Sequence, residues 1–129
     1  NPVYYVQYVH ARICSIFRNA ADKGVKFDAA AARAAFSESE LCAQERALAL
    51  KICWFEETLH ACVRDLSPHH LAAYLLELSG LFHPFYDACR VLDEADGKTT
   101  QSRLLLCLAV RNTIARGLGL IGVSAPESM

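Results

Sequence analysis

The first stretch of the chain sets Tyr4, Tyr8, Arg12, Ser15 and Asn19 on one side of a helix at ~100° per residue, with Tyr5 at the edge. Aromatic rings interleaved with a guanidinium form a platform on which unpaired nucleic-acid bases stack, each contributing ~1–3 kcal/mol. The same row would also suit packing against a neighbouring domain, because tyrosine is amphipathic. His10 borders the apolar side beside Phe17, the setting of a satisfied, partly buried histidine. Farther along, His83, Asp87 and Arg90 stand four and three apart, so Asp87 can pair with either neighbour. The result is either a solvated ion pair of ~0.3–0.5 kcal/mol or an arginine held ready for a phosphate or base. Arg103 and Arg111 lie on an otherwise apolar segment, where a guanidinium needs a partner or solvent. Acidic residues from mid-chain or a phosphate would each serve.

Other chemistries find thin support. Cys14, Cys42, Cys53, Cys62, Cys89 and Cys107 never form C-x-x-C, and His69 and His70 are adjacent, so no metal-ligand spacing exists. Most of these cysteines read as small buried hydrophobes in a reduced, cytosolic setting. Gly117-Leu118-Gly119 lies near a helix end with no strand before it, unlike a phosphate loop. His60 with Cys53 or Cys62 has no third orienting group, and residues two apart point to different helix faces. A Cys/His hydrolase therefore needs an exposed, low-pKa thiol, and catalysis by this chain alone is not expected.

The elements that must hold these residues are helical nearly throughout. At 129 residues and 53% hydrophobic, the chain allows one domain, residues 1–129, with a real core. No apolar run approaches the ~20 residues of a membrane span. Asn1-Pro2 reads as a cap plus first-turn proline, and Gly24 as a stop, around a core stripe of Val6, Val9, Ile13, Ile16, Phe17 and Ala20. Further helices are expected over Asp28–Phe36, Ser39–Trp54, Glu56–Asp65, Ser67–Arg90 and Gln101–Ile121, with Asp93–Thr100 a polar loop. Pro84 should kink the fifth helix without stopping it, since Gly80 four residues earlier lessens the clash. The fold class is all-α, a bundle of about five to six helices.

The net charge of −1 hides an uneven distribution. Residues 1–33 carry five Lys/Arg against two Asp, and residues 101–129 three Arg against one Glu, while the middle is acidic. If the two ends pack together they make one basic face, which allows a local anionic contact and argues against a general nucleic-acid coat. The sole Met is the last residue. A fragment of a longer polypeptide, keeping its native C-terminus, is the expectation.

Three segments together resemble one family. The opening, Asn1 to Ile13, reading N-P-V-Y-Y-V-Q-Y-V-H-A-R-I, resembles the junction helix of arginyl-tRNA synthetases, where the class I catalytic domain meets the anticodon-binding domain. Phe82 to Leu92, F-H-P-F-Y-D-A-C-R-V-L, is similar to the D-A-L-R motif that names that domain, with Cys89 in place of Leu. Val9 stands where the family often has Ala, and both changes are apolar. The ending, Gly117 to Met129, resembles the family's C-terminus.

The resemblance implies a helical bundle that grips the anticodon stem and loop of arginine tRNA, with its own catalytic domain elsewhere in the full chain. It implies no cofactor in this fragment, ATP with magnesium for the whole enzyme, a monomer in the cytoplasm, and neither membrane nor DNA as a partner. The catalytic signatures H-I-G-H and K-M-S-K-S are absent, so no aminoacylation by this segment is expected. Every arginine anticodon has a central C, and a loop base that is unstacked can be read on its edges. The family's roles fall on Tyr8, Arg12, His83, Tyr86, Arg90, Arg111 and Met129 for RNA contact, with Asp87 and Gln7 in support. The Met129 carboxylate is suited to accept from a cytosine amino group, and Asp87 to fix Arg90. The competing reading is a protein-interaction bundle whose aromatic row docks another domain.

Overall fold

Asn1 starts the first helix by accepting the Val3 amide on its side chain at 3.0 Å, and Pro2 occupies a position whose missing N–H costs nothing. The computed structural model describes all of residues 1–129. Six helices follow one another: α1 (Pro2–Asp22), α2 (Ala29–Glu38), α3 (Ala43–Cys53), α4 (Phe55–Arg64), α5 (His69–Ala88) and α6 (Gly97–Leu120). The architecture is all-α. Gly24 takes φ of 76° and Gly122 takes 75°, the left-handed conformation that ends α1 and α6 at low steric cost.

The expected boundaries hold to within two residues except at the starts of α3 and α6, and the end of α5 also moves. α3 starts at Ala43 instead of Ser39, because Cys42 is its N-cap and its amide donates to Glu45 Oε1 at 3.1 Å. α6 starts at Gly97 instead of Gln101. There Asp96 accepts from the Thr99 amide at 3.1 Å and the Thr99 hydroxyl at 2.7 Å, which turns a loop-like sequence into a first helical turn. α5 ends at Ala88, two residues short of Arg90, since Cys89 is extended with φ −121° and ψ 116°. Pro84 lies inside α5 and does not stop it, as expected.

Helices α5 and α6 form the centre: α5 packs on α1, α3 and α4, and α6 on α1, α2 and α3, with the two also touching each other. The α1 residues Val6, Val9, Ile13 and Ile16 meet Leu71, Leu75, Leu78, Phe82 and Phe85 of α5 and Leu104, Val110, Ile114 and Leu118 of α6 in one core. Phe17 is half-buried at its margin. At Gly117 the α5–α6 approach is so close that a Cβ would fall 2.7 Å from Leu75 Cδ2. The first and last helices therefore do come together. No helix is long and apolar enough to cross a membrane.

The α6 cap makes a pH prediction. The Thr99 hydroxyl, and behind it the Thr99 amide, holds the Asp96 carboxyl below the usual carboxylate range. A carboxyl whose folded pKa is depressed contributes stability that is complete above the unfolded value of about 3.9 and fades as pH falls through the folded value. Melting temperatures should therefore fall on acidification below about pH 4, and part of that fall should be missing in Asp96→Asn, whose amide oxygen caps at any pH. Identical acid profiles for the two proteins would contradict the assignment.

Candidate nucleic-acid interface

The row on α1 faces a layer of rings from α5. Arg12 Nη1 donates to the Tyr8 hydroxyl one turn earlier at 2.9 Å, and the guanidinium lies over the Tyr86 ring with Cζ 4.5 Å from its centroid. Tyr86 stacks on Phe82 at 5.9 Å and 30°. Beside them Tyr5 and His83 lie nearly parallel, 5.5 Å apart with 8° between planes, and the Tyr5 hydroxyl donates to the Ser79 carbonyl at 3.4 Å. Burial by itself would lower the Arg12 pKa. The hydrogen bond to Tyr8 and the Tyr8 and Tyr86 phenols outweigh it, so the net shift is upward and the charge is secure.

Beyond Gly122 the tail advances along α1. Gln7 Nε2 donates to the Ser124 carbonyl at 2.8 Å, His10 Nδ1 meets the Pro126 carbonyl at 2.8 Å, and Arg18 Nη1 donates to the Glu127 carbonyl at 3.2 Å. Gln7 and His10, 9% and 5% exposed, are thus buried polar groups satisfied by tail backbone. Because the carbonyl accepts, Nδ1 of His10 carries the proton. The tail ends with Met129 in a cleft of about 210 Å³ lined by Tyr8, Arg12, Ser15 and Arg18. A wider cleft of about 410 Å³ follows, between Asn19 and Asp22 of α1 with the Lys23 that caps it, and Tyr86, Arg90 and Leu92. Tyr86 lines the second cleft and Arg12 the first, and the two side chains are in contact. Four cations, Arg12, Arg18, Lys23 and Arg90, border this strip.

The structure thus brings Tyr8, Arg12, Tyr86, Arg90 and Met129 to one surface, with His83 in the adjoining ring layer and Gln7 holding the tail. Two expectations change. Asp87 does not fix Arg90: no hydrogen bond or ion pair joins them, because the helix ends at Ala88 and carries Arg90 off the shared edge. Arg111 sits elsewhere, over Phe17 with Cζ 5.3 Å from the ring centroid, and about 140° round α1 from Arg12 at 100° per residue. Arg103 follows the structural reading, with Nε 3.6 Å from Glu45 Oε2 and Nη1 donating to the Arg90 carbonyl at 2.8 Å. His60 is exposed and approaches Glu57 at 3.9 Å, so the imagined Cys/His pairing does not form.

Sequence reasoning missed Arg18 and Lys23 at the cleft and Phe82 beneath Tyr86. Helical spacing does place Lys23 one turn after Asn19, a signal that was available.

Residues 6–129 match the family described as the DALR anticodon binding domain. The chain belongs to that family. Its motif, Asp87-Ala88-Cys89-Arg90, is the end of α5 and the turn that opens the wider cleft. Over its full 129 residues the domain is 54% identical to an arginine–tRNA ligase of Elusimicrobium minutum and 45% identical to one of Geotalea daltonii, covering 23% and 22% of those proteins. Among solved structures, 97% of the DALR domain superimposes on the Thermus thermophilus arginyl-tRNA synthetase with a TM-score of 0.81 and 36% identity, covering 21% of that chain. The domain therefore spans under a quarter of the length of the ligases it matches.

Proposed function

We propose that the chain is the part of an arginine–tRNA ligase that binds the anticodon stem and loop of arginine tRNA. The observation that carries this reading is the charged, ring-bearing strip in which Arg12, stacked on Tyr86 and held by Tyr8, lies between two clefts bordered by cations. Unpaired bases stack on such rings while Arg18, Lys23 and Arg90 meet phosphates. Met129 lines the narrower cleft, where an unstacked cytosine, the central base of every arginine anticodon, would be read on its edges.

The ligation itself, with ATP and magnesium, belongs to the remainder of a longer cytoplasmic, monomeric enzyme. An apolar cavity of about 220 Å³ at the start of α1, lined by Pro2, Val3, Val6, Leu75, Leu76 and Ile121, suits contact with that remainder. Tyr8 and Arg12 do not line this cavity, which favours RNA over a docked domain at those two residues.

A titration of the domain with an arginine anticodon stem-loop, monitored by NMR, tests the reading. Amide shifts should gather on α1, the end of α5 and the tail, and affinity should fall as salt rises. The same loop with its middle base changed should bind more weakly. Equal, salt-insensitive binding of both loops, or shifts confined to the cavity at Pro2, would sink the proposal.

A further inference from the structure

Outside the clefts, two cysteines distant in sequence meet: Cys42 Sγ and Cys89 Sγ are 3.3 Å apart. Cys42 is half-buried at the N-cap of α3, and Cys89 is 3% exposed where the chain leaves α5. Both thiols are free. The Glu45 carboxylate lies with them, the three ligand atoms falling within 4.8 Å of one another. A cation is poorly served there. Glu45 already accepts the Cys42 amide and faces Arg103, so an entering metal would meet a guanidinium. Burial, reinforced by the contact with Cys42, pushes the Cys89 thiol up to about 11, which keeps it protonated beside the more accessible Cys42.

We propose that Cys42 and Cys89 are a modification site, a dithiol that a peroxide closes to a disulfide joining the start of α3 to the segment carrying Arg90. Bond formation needs the sulfurs to approach by roughly 1.3 Å more, since S–S is ~2.05 Å. Cys42 is the less buried of the two thiols and the one an oxidant reaches first. Its thiolate attacks one peroxide oxygen. The O–O bond breaks, hydroxide leaves and takes up the proton shed by Cys42 as water, and Cys42 becomes a sulfenic acid. Cys89 sulfur then attacks Cys42 sulfur, forming S–S and breaking S–O. The departing hydroxide takes the Cys89 proton as a second water. Two thiols are oxidised by two electrons and one peroxide is reduced to two waters.

Peptide mapping of the intact domain tests this. The protein is treated with hydrogen peroxide, alkylated, and digested with trypsin without reductant. The two relevant peptides are residues 34–46, with Cys42, and 65–90, with Cys89. They should appear as one linked species, both thiols disappearing from the alkylated pool together and returning after dithiothreitol. In Cys89→Ser, Cys42 should stop at the sulfenic acid and be trapped by dimedone. Because Cys89 is buried and that variant could misfold, Cys42→Ser is mapped as well and should show no linked species. Three results would overturn the proposal: both thiols alkylated in full after peroxide, linkage through a different pair, or protection of both thiols by zinc with no disulfide formed.

Discussion

Phe82→Ala is expected to lower the unfolding free energy by about 3–5 kcal/mol, the usual range for truncating a fully buried phenylalanine. Phe82 is completely buried and touches three rings, those of Phe85, Tyr86 and His83, at centroid distances of 5.8, 5.9 and 6.2 Å. Removing it loses the transfer free energy of the ring and leaves a cavity between α1 and α5, because close-packed neighbours relax only in part. A domain of this size is stable by ~5–15 kcal/mol, so the variant should approach marginality. Urea denaturation followed by far-UV circular dichroism measures the change. Phe82→Leu should recover most of it. A loss under about 1 kcal/mol would mean that the ring stack does not bear on the core. The same residue is the floor under Tyr86, so this substitution tests whether the surface that faces the clefts is supported from within.

Core and surface are coupled in this way because α1 serves both. Its stripe from Val6 to Ala20 is a local, 3.6-residue pattern, and it was legible in the sequence together with the α5 arc from Leu71 to Phe85. The caps at Asn1 and Asp28 were legible for the same reason, since each is decided within three residues. The starts of α3 and α6 were not. Cys42 is an unusual cap, and Gly97-Lys98-Thr99-Thr100 has loop-like propensities that the Asp96 cap overrides.

Features set by long-range contact escaped local reasoning altogether. Nothing periodic in residues 123–129 says that they lie along α1. Only the polar Gln7 and His10 next to the apolar stripe hinted that something must satisfy them. The spacing of Asp87 and Arg90 described neighbours on a helix that ends before Arg90, where Cys89 turns extended. For Arg111, position on an apolar helix demanded a partner without naming one, and the Phe17 ring filled the role. The row Tyr8, Arg12, Ser15 and Asn19 was correct as a row. That its arginine would be clamped by Tyr86, 74 residues away in sequence, depended on how α5 crosses α1.

That clamp makes Arg12 the position where a single change should cost the most binding. Arg12→Ala is expected to weaken the anticodon stem-loop by about 1–3 kcal/mol, or ~5–150-fold. Of the five N–H donors of Arg12, one is spent on Tyr8 and the Nε–H is buried, which leaves three for a ligand. The Arg12 guanidinium already lies over the Tyr86 ring, so a phosphate or base meets a side chain that loses little entropy on contact. Arg12→Lys separates charge from geometry. A lysine retains the cation and most of the salt dependence but cannot stack flat or donate as a fork, so its affinity should stay close to that of the alanine variant. The alanine variant should also flatten the plot of log affinity against log salt by up to about one unit, as expected for one lost phosphate contact. Fluorescence anisotropy at several salt concentrations gives both quantities, and a thermal melt of each variant confirms that half-buried Arg12 is not needed for folding. Binding within twofold of the parent at every salt concentration would remove Arg12 from the interface and leave the aromatic row as a surface for protein contact.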